Sequence, residues 1–148
     1  KKNLKNITKY KPRLAHGDFF LENLIYYKRN IFVIDHQDLH YNHPCLDIAS
    51  LIFDARRQYS PKVEDRCIKE YAKKCNQPLK QTIYDIHLVS LARNLRILGN
   101  WINLYRSGKP QYLKKYRKAT WTQIFKHVEY LRFWDLRELF EEVYKKTK

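Results

Sequence analysis

The spacing of apolar residues changes about a third of the way along the chain. Up to residue 46 they come in short runs: "PRLAH" (12–16), "NLIYY" (23–27) and "IFVID" (31–35). These runs are rich in β-branched and aromatic residues, which predicts strands, and the polar Lys28, Arg29 and Asn30 between the last two predict a hairpin. Residues 36–46 read as a loop carrying His36, His40, His43 and Pro44. From Asp47 onward the period becomes helical. Ile48, Leu51, Ile52 and Ala55 fall on one face of "IASLIFDARRQY", with Asp47 as its N-cap. Ser60 followed by Pro61 predicts a second helix, running to about Cys75. A third begins near Pro78; Ile83, His87, Leu91, Asn94 or Leu95, Leu98, Ile102 and Tyr105 repeat at 3–4 spacing until Gly108 and Pro110 stop it. Two more are expected at 111–131 and 135–146. The expectation is a mostly α protein with a small β-hairpin: a loop and hairpin over 12–38 laid on a helical body over 47–146.

Composition narrows the class. A chain of 148 residues, 44% hydrophobic and 15% aromatic, suits one folded domain with its own core. No apolar run approaches the ~18 residues of a membrane span, and the lysine-rich start lacks the apolar stretch of a signal peptide. Cys45, Cys67 and Cys75 are odd in number and lack CxxC spacing, which argues against structural zinc or a disulfide framework and suits a reducing cytoplasm. The net charge of +15 attracts anionic ligands in general. The lysines are spread over nearly every segment, and the wealth of Lys, Asn, Ile and Tyr is the bias of AT-rich codons. Specific nucleic-acid binding is therefore the weaker reading of the charge. Methionine is absent even at position 1, so the chain reads as a piece of something longer.

The chemistry concentrates in "LAHGDFFLENLIYY" (14–27) and "IFVIDHQD" (31–38). Phosphoryl transfer from a nucleotide needs a carboxylate to orient the attacking hydroxyl, and oxygen ligands to hold magnesium against the phosphates. Asp18 can be the first group, and Asn23 and Asp35 the metal ligands, because Asp18 and Asn23 flank a loop and the hairpin returns Asp35 beside it. His16 reads as structural, packing beneath the loop and bonding its backbone. Asp47 has two compatible readings, a helix cap and a buried acid that holds the loop through backbone N–H groups. His36, His40 and His43 with Asp38 lack the helical spacing of a zinc site, and His87 reads as a core histidine.

"HGDFFLENL", "VIDHQD" and "CLDIASL" together resemble the C-terminal lobe of the aminoglycoside phosphotransferase and choline kinase superfamily. Within it, "IDHQD…HPCLDIASL" and "LARNLRILGNWINLYRSGKPQYLKKY" (91–116) are similar to bacterial anomeric sugar kinases that phosphorylate N-acetylmuramate and N-acetylglucosamine in cell-wall recycling. The resemblance spans nearly all of 12–142. It implies a protein-kinase-like C-lobe over 1–148, with ATP and Mg2+ as cofactors and an amino sugar as phosphate acceptor. It also implies Asp18 as catalytic base, Asn23 and Asp35 as magnesium ligands, and His16 and Asp47 as loop-anchoring residues. Asp38 would lie near the metal or the sugar, and Arg93 and Asn94 on the substrate side. Phe20 stands where the family often has histidine, and His36 where phenylalanine is usual.

Such kinases also carry an N-terminal lobe, with a phosphate-covering loop and a strand lysine. Gly17, Gly99 and Gly108 are the only glycines, and none lies in a strand-turn-strand setting before "HGD". The expectation is a C-lobe without its N-lobe, weakly active or inactive alone, and completed by a separate N-lobe polypeptide. The competing readings are a non-catalytic kinase remnant that binds a nucleotide or partner, and a basic nucleic-acid-binding domain.

Overall fold

The structure, a computed structural model, describes residues 10–146. Strands β1 (Arg13–Ala15), β2 (Leu24–Tyr27), β3 (Asn30–Val33) and β4 (His40–Asn42) precede five α-helices. These are α1 (Leu46–Ile52), α2 (Pro61–Lys74), α3 (Leu79–Arg106), α4 (Gln111–Leu131) and α5 (Trp134–Lys146). The described residues gather into two compact units. The first runs up to Ile52 and resumes over Tyr59–Val89; the second comprises Phe53–Gln58 and the chain from Ser90 onward.

In the first unit, β2 and β3 form an antiparallel ribbon with Leu24 opposite Val33 and Tyr27 opposite Asn30. Its loop is therefore two residues, not three. Lys28 and Arg29 both take left-handed backbone (φ 46° and 64°), the mirror-image turn whose twist matches paired strands. Asn30 is thereby freed to join β3, and its Nδ2 donates to Lys28 O at 3.2 Å. A second correction lies in the segment expected to be loop. There β4 pairs with β1, Arg13 opposite Asn42 and Ala15 opposite His40; its own residues are too polar to announce a strand.

Helix α1 is also shorter than its apolar pattern suggests, and Asp47 lies inside its first turn rather than capping it. The capping falls to His43, whose Nδ1 accepts from Cys45 N–H at 3.1 Å while its carbonyl accepts from Leu46 N–H. The helix stops at Ile52, and just beyond it the Asp54 carboxylate takes up Arg56 N–H at 2.8 Å, a local alternative to helix.

Helices α2, α3 and α4 end alike. Asn76, Gly108 and Arg132 turn left-handed (φ 51°, 84° and 57°). The following residues, Gln77, Lys109 and Phe133, each donate back to the carbonyl five positions earlier, which satisfies carbonyls otherwise orphaned at a helix end. The start of α2 follows the sequence reading, with Ser60 accepting from Val63 N–H and Pro61 in the first turn.

The first unit buries Ala49, Ile52, Ile68, Ala72 and Ile86. In the second, Phe53, Leu98, Trp121, Ile124 and Val128 are buried. There Trp121 meets Phe140 and Tyr144 of α5 at ring-centroid distances of 6.0 and 5.6 Å. The Arg117 guanidinium lies 4.4 Å over the Tyr144 ring.

Candidate active site

The segment between β1 and β2 turns on Gly17, whose backbone is left-handed at φ +85°. A Cβ there would come within 2.9 Å of His40 Cε1 and 3.3 Å of Asp38 O, so the position needs glycine for both its torsion and its space. The loop is fastened from α1. Asp47 accepts from His16 N–H at 2.8 Å through Oδ2 and from Gly17 N–H at 3.1 Å through Oδ1. It is also fastened from the ribbon, since the His16 ring donates from Nε2 to Ile34 O at 3.0 Å. A carbonyl can only accept, so this bond fixes a proton on Nε2.

Asn23 closes the loop upon itself. Its Nδ2 donates to Asp18 O at 2.9 Å, and its own carbonyl accepts from Ile34 N–H at 3.0 Å. The amide is buried, and with Nδ2 committed, Oδ1 is its remaining coordinating atom. Asp35 follows Ile34 directly and has left-handed backbone (φ 62°), a conformation costly enough in a non-glycine residue to mark a constrained position. Asp18 is half-buried, and Asp35 and Asp38 are exposed. Among the described residues no hydrogen bond or ion pair engages their three carboxylates. His16, Asp18, Asn23, Ile34 and Asp47 thus belong to one hydrogen-bonded frame.

A second chain of bonds supports Gly17 from the β4 side, and only Asp38, His40 and His43 in it drew notice in the sequence. His43 N–H donates to Asn42 Oδ1 at 2.6 Å, Asn42 Nδ2 to His40 Nε2 at 2.9 Å, and His40 Nδ1 to Asp38 O at 2.7 Å. The amide and the carbonyl fix the direction of these bonds, with the His40 ring donating from Nδ1 and accepting at Nε2 while it lies against Gly17. Asn42 joins the two histidines, and nothing in its sequence context pointed to it.

Arg93 and Asn94 belong to the second unit, where both are buried. Arg93 lies 3.8 Å from Asp54 Oδ2, and Asn94 Nδ2 donates to Phe53 O at 3.4 Å. Asp54 is also gripped by Arg56, whose Nε donates at 2.9 Å. Burial pushes the Asp54 carboxyl up, but hydrogen bonds and charge from Arg56, helped by Arg93, outweigh it and leave it below the usual carboxylate range.

The Asp18 and Asp35 carboxylates, which no described residue engages, and the buried Asn23 amide are hard-oxygen donors of the type phosphotransferases use. The sequence agrees: residues 2–80 match the phosphotransferase enzyme family, and the chain belongs to it. It is 33% identical over 106 residues to the N-acetylmuramate/N-acetylglucosamine kinase of Caulobacter vibrioides, a match covering 66% of this chain. That match takes in 29% of the relative's own length.

Proposed function

We propose that this chain is the catalytic-loop portion of an ATP- and magnesium-dependent small-molecule kinase that phosphorylates a hydroxyl of an amino sugar, working in the cytoplasm. The observation that carries the reading is the double role of Asn23. Its amide holds Asp18 O while its backbone holds Ile34, so base, amide and Asp35 are governed by one frame.

The donor set fits the implied cation. Asn23 Oδ1 and Asp35 are oxygen donors suited to magnesium, and Asp18, outside that pair, is free to face the acceptor alcohol. When bound, the ion would neutralise phosphate charge. The work of the chain's own residues is to hold and accept protons. Asp18 takes the proton of the attacking hydroxyl; Asp47 and His16 keep its loop from drifting; Asp38 lies on the acceptor side. The relative's greater length supports a further N-terminal lobe for nucleotide binding, supplied as a separate polypeptide or as more of the same protein.

The test is reconstitution. The 148-residue chain with ATP, magnesium and N-acetylglucosamine or N-acetylmuramate is expected to turn over poorly. Addition of an N-lobe polypeptide from the relative should restore phosphorylation, and Asp18→Ala should lower the restored rate by roughly 10²–10⁴-fold, the usual worth of a positioned base. An Ala variant as active as the parent overturns the assignment. Thermal stabilisation by ATP that needs magnesium is the companion readout.

A further inference from the structure

At the Arg13–Asn42 end of the β1–β4 pair, away from Gly17, the first unit holds a concavity. Its volume is about 940 Å3, enough for a sugar- or nucleoside-sized molecule. Four elements wall it: the segment entering β1, the His43–Pro44–Cys45 corner, the end of α2 and the start of α3.

Its charged lining is lopsided. Lys11, Arg13 and Lys74 contribute three positive charges against the single negative charge of Asp85. Gln81, Thr82, Tyr84 and Asp85 line it from the start of a 28-residue helix, whose positive dipole end also favours an anion. His43 adds a neutral donor. Because Cys45 N–H occupies its Nδ1, the ring proton sits on Nε2. The walls are otherwise aromatic: Tyr10 lies 4.3 Å from the His43 ring, Tyr71 is pinned by its hydroxyl to Pro44 O at 2.7 Å, and Tyr84 also lines the space.

We propose that this cavity binds a small phosphomonoester carried on a ring, the phosphate held by Lys11, Arg13 and Lys74 and the ring lying against the tyrosines. The charge count selects the ligand. The lining nets +2, and a phosphomonoester carries about −1.5 to −2 near neutral pH, whereas a carboxylate would leave one cation unanswered. The site is separate from Asp18, and the proposal holds whether or not that loop is catalytic.

Cys75 supplies a readout that needs no activity. It lines the cavity and is exposed. Burial, reinforced by the negative charge of Asp85, pushes the Cys45 thiol up to about 12, so it stays unreactive at pH 8. In a Cys67→Ser background, alkylation by N-ethylmaleimide therefore reports on Cys75. The probes are N-acetylglucosamine 1-phosphate and AMP, compared with N-acetylglucosamine, adenosine and inorganic phosphate alone. At least one ring phosphate is expected to slow Cys75 alkylation fivefold or more, and the more protective of the two identifies the ring. The phosphate-free rings and inorganic phosphate should give less than twofold. Arg13→Glu/Lys74→Glu should erase the protection, as should Lys11→Glu/Lys74→Glu if the first pair misfolds. The charge-matched Lys109→Glu/Lys146→Glu should retain it. Equal protection by inorganic phosphate means ion screening only and overturns the proposal. So does protection that survives in the Glu variants, or no protection by either ring phosphate.

Discussion

The Asp47 carboxylate and the backbone of Gly17, thirty residues apart, are joined by a hydrogen bond of 3.1 Å, and the other oxygen of the same carboxylate takes His16 N–H at 2.8 Å. One ionised side chain in α1 thus fixes the two peptide groups that lead into Asp18. Hydrogen bonds to a charged acceptor contribute more than neutral ones, and leaving both donors unmet is costlier still.

Asp47→Asn is expected to lose stability, because an amide offers one oxygen where two are used and an NH2 group would face a donor. The cost should be about 1–3 kcal/mol, read as a lower urea midpoint at unchanged slope. Asp47→Ala should cost at least as much. A variant with the parent's midpoint would show that the carboxylate does not hold the loop.

The three glycines should respond to alanine in three ways. Gly17 has both a positive φ and a Cβ contact of 2.9 Å, so Gly17→Ala should be the most damaging, by more than about 1 kcal/mol. Gly108 has the positive φ but open space; Gly108→Ala should cost about 1 kcal/mol. Gly99 sits within α3 with nothing near, and Gly99→Ala should stabilise by about 0.4–1 kcal/mol. Thermal or urea unfolding of the three variants checks the order.

His43 gives a pH dependence with a definite sign. Burial lowers its pKa, and the Coulombic pull of Asp85 only partly opposes this. The unfolded chain therefore takes up this proton at higher pH than the native one. Stability should be full above about pH 7 and fall as pH drops through the ordinary histidine range near 6.5. In His43→Gln that loss should be smaller. Urea unfolding of both proteins between pH 5 and 8 tests it, and equal pH slopes would refute it.

Asp54 is buried beside Arg56 and Arg93, and Asp54→Ala would strip both guanidiniums of their carboxylate. The expected loss is about 3 kcal/mol, at the low end for breaking a buried pair because Arg56 keeps 23% side-chain exposure. The pair's stabilisation should be present above the ordinary aspartate range and disappear as pH falls below it, so Asp54→Ala should show a flatter acid-unfolding profile.

Periodicity served the long elements well. The start of α2 follows from Ser60–Pro61, and the end of α3 and start of α4 from Gly108–Pro110, because those signals are local. Three features escaped for physical reasons. β4 exists because β1 offers it an edge, not because "HYN" favours a strand. α1 stops early because the Asp54 carboxylate captures its own backbone. The ends at Asn76 and Arg132 use left-handed residues that are not glycine. In the candidate site, residue types and spacing singled out Asp18, Asn23 and Asp35 and offered Asp47 as an acid holding the loop through backbone N–H groups, but not which peptide groups it takes: the bond to His16 N–H spans 31 positions, and no spacing rule reaches that far. The His43–Asn42–His40 relay was hidden although its partners lie only one or two positions apart, because it rests on the β1–β4 pairing that these polar residues do not announce.

The β2–β3 ribbon has a consequence for handling the protein. Among the described residues its sheet has two strands, and Tyr26, Ile31 and Phe32 point sizeable apolar surfaces at water, the first two at 72% and 66% exposure. Open strand edges beside bare apolar side chains recruit other copies, and the charged tip, Lys28 and Arg29, guards only one end. At high concentration this chain should therefore stick to itself through the ribbon before it unfolds, and solubility rather than stability will set how far it can be concentrated.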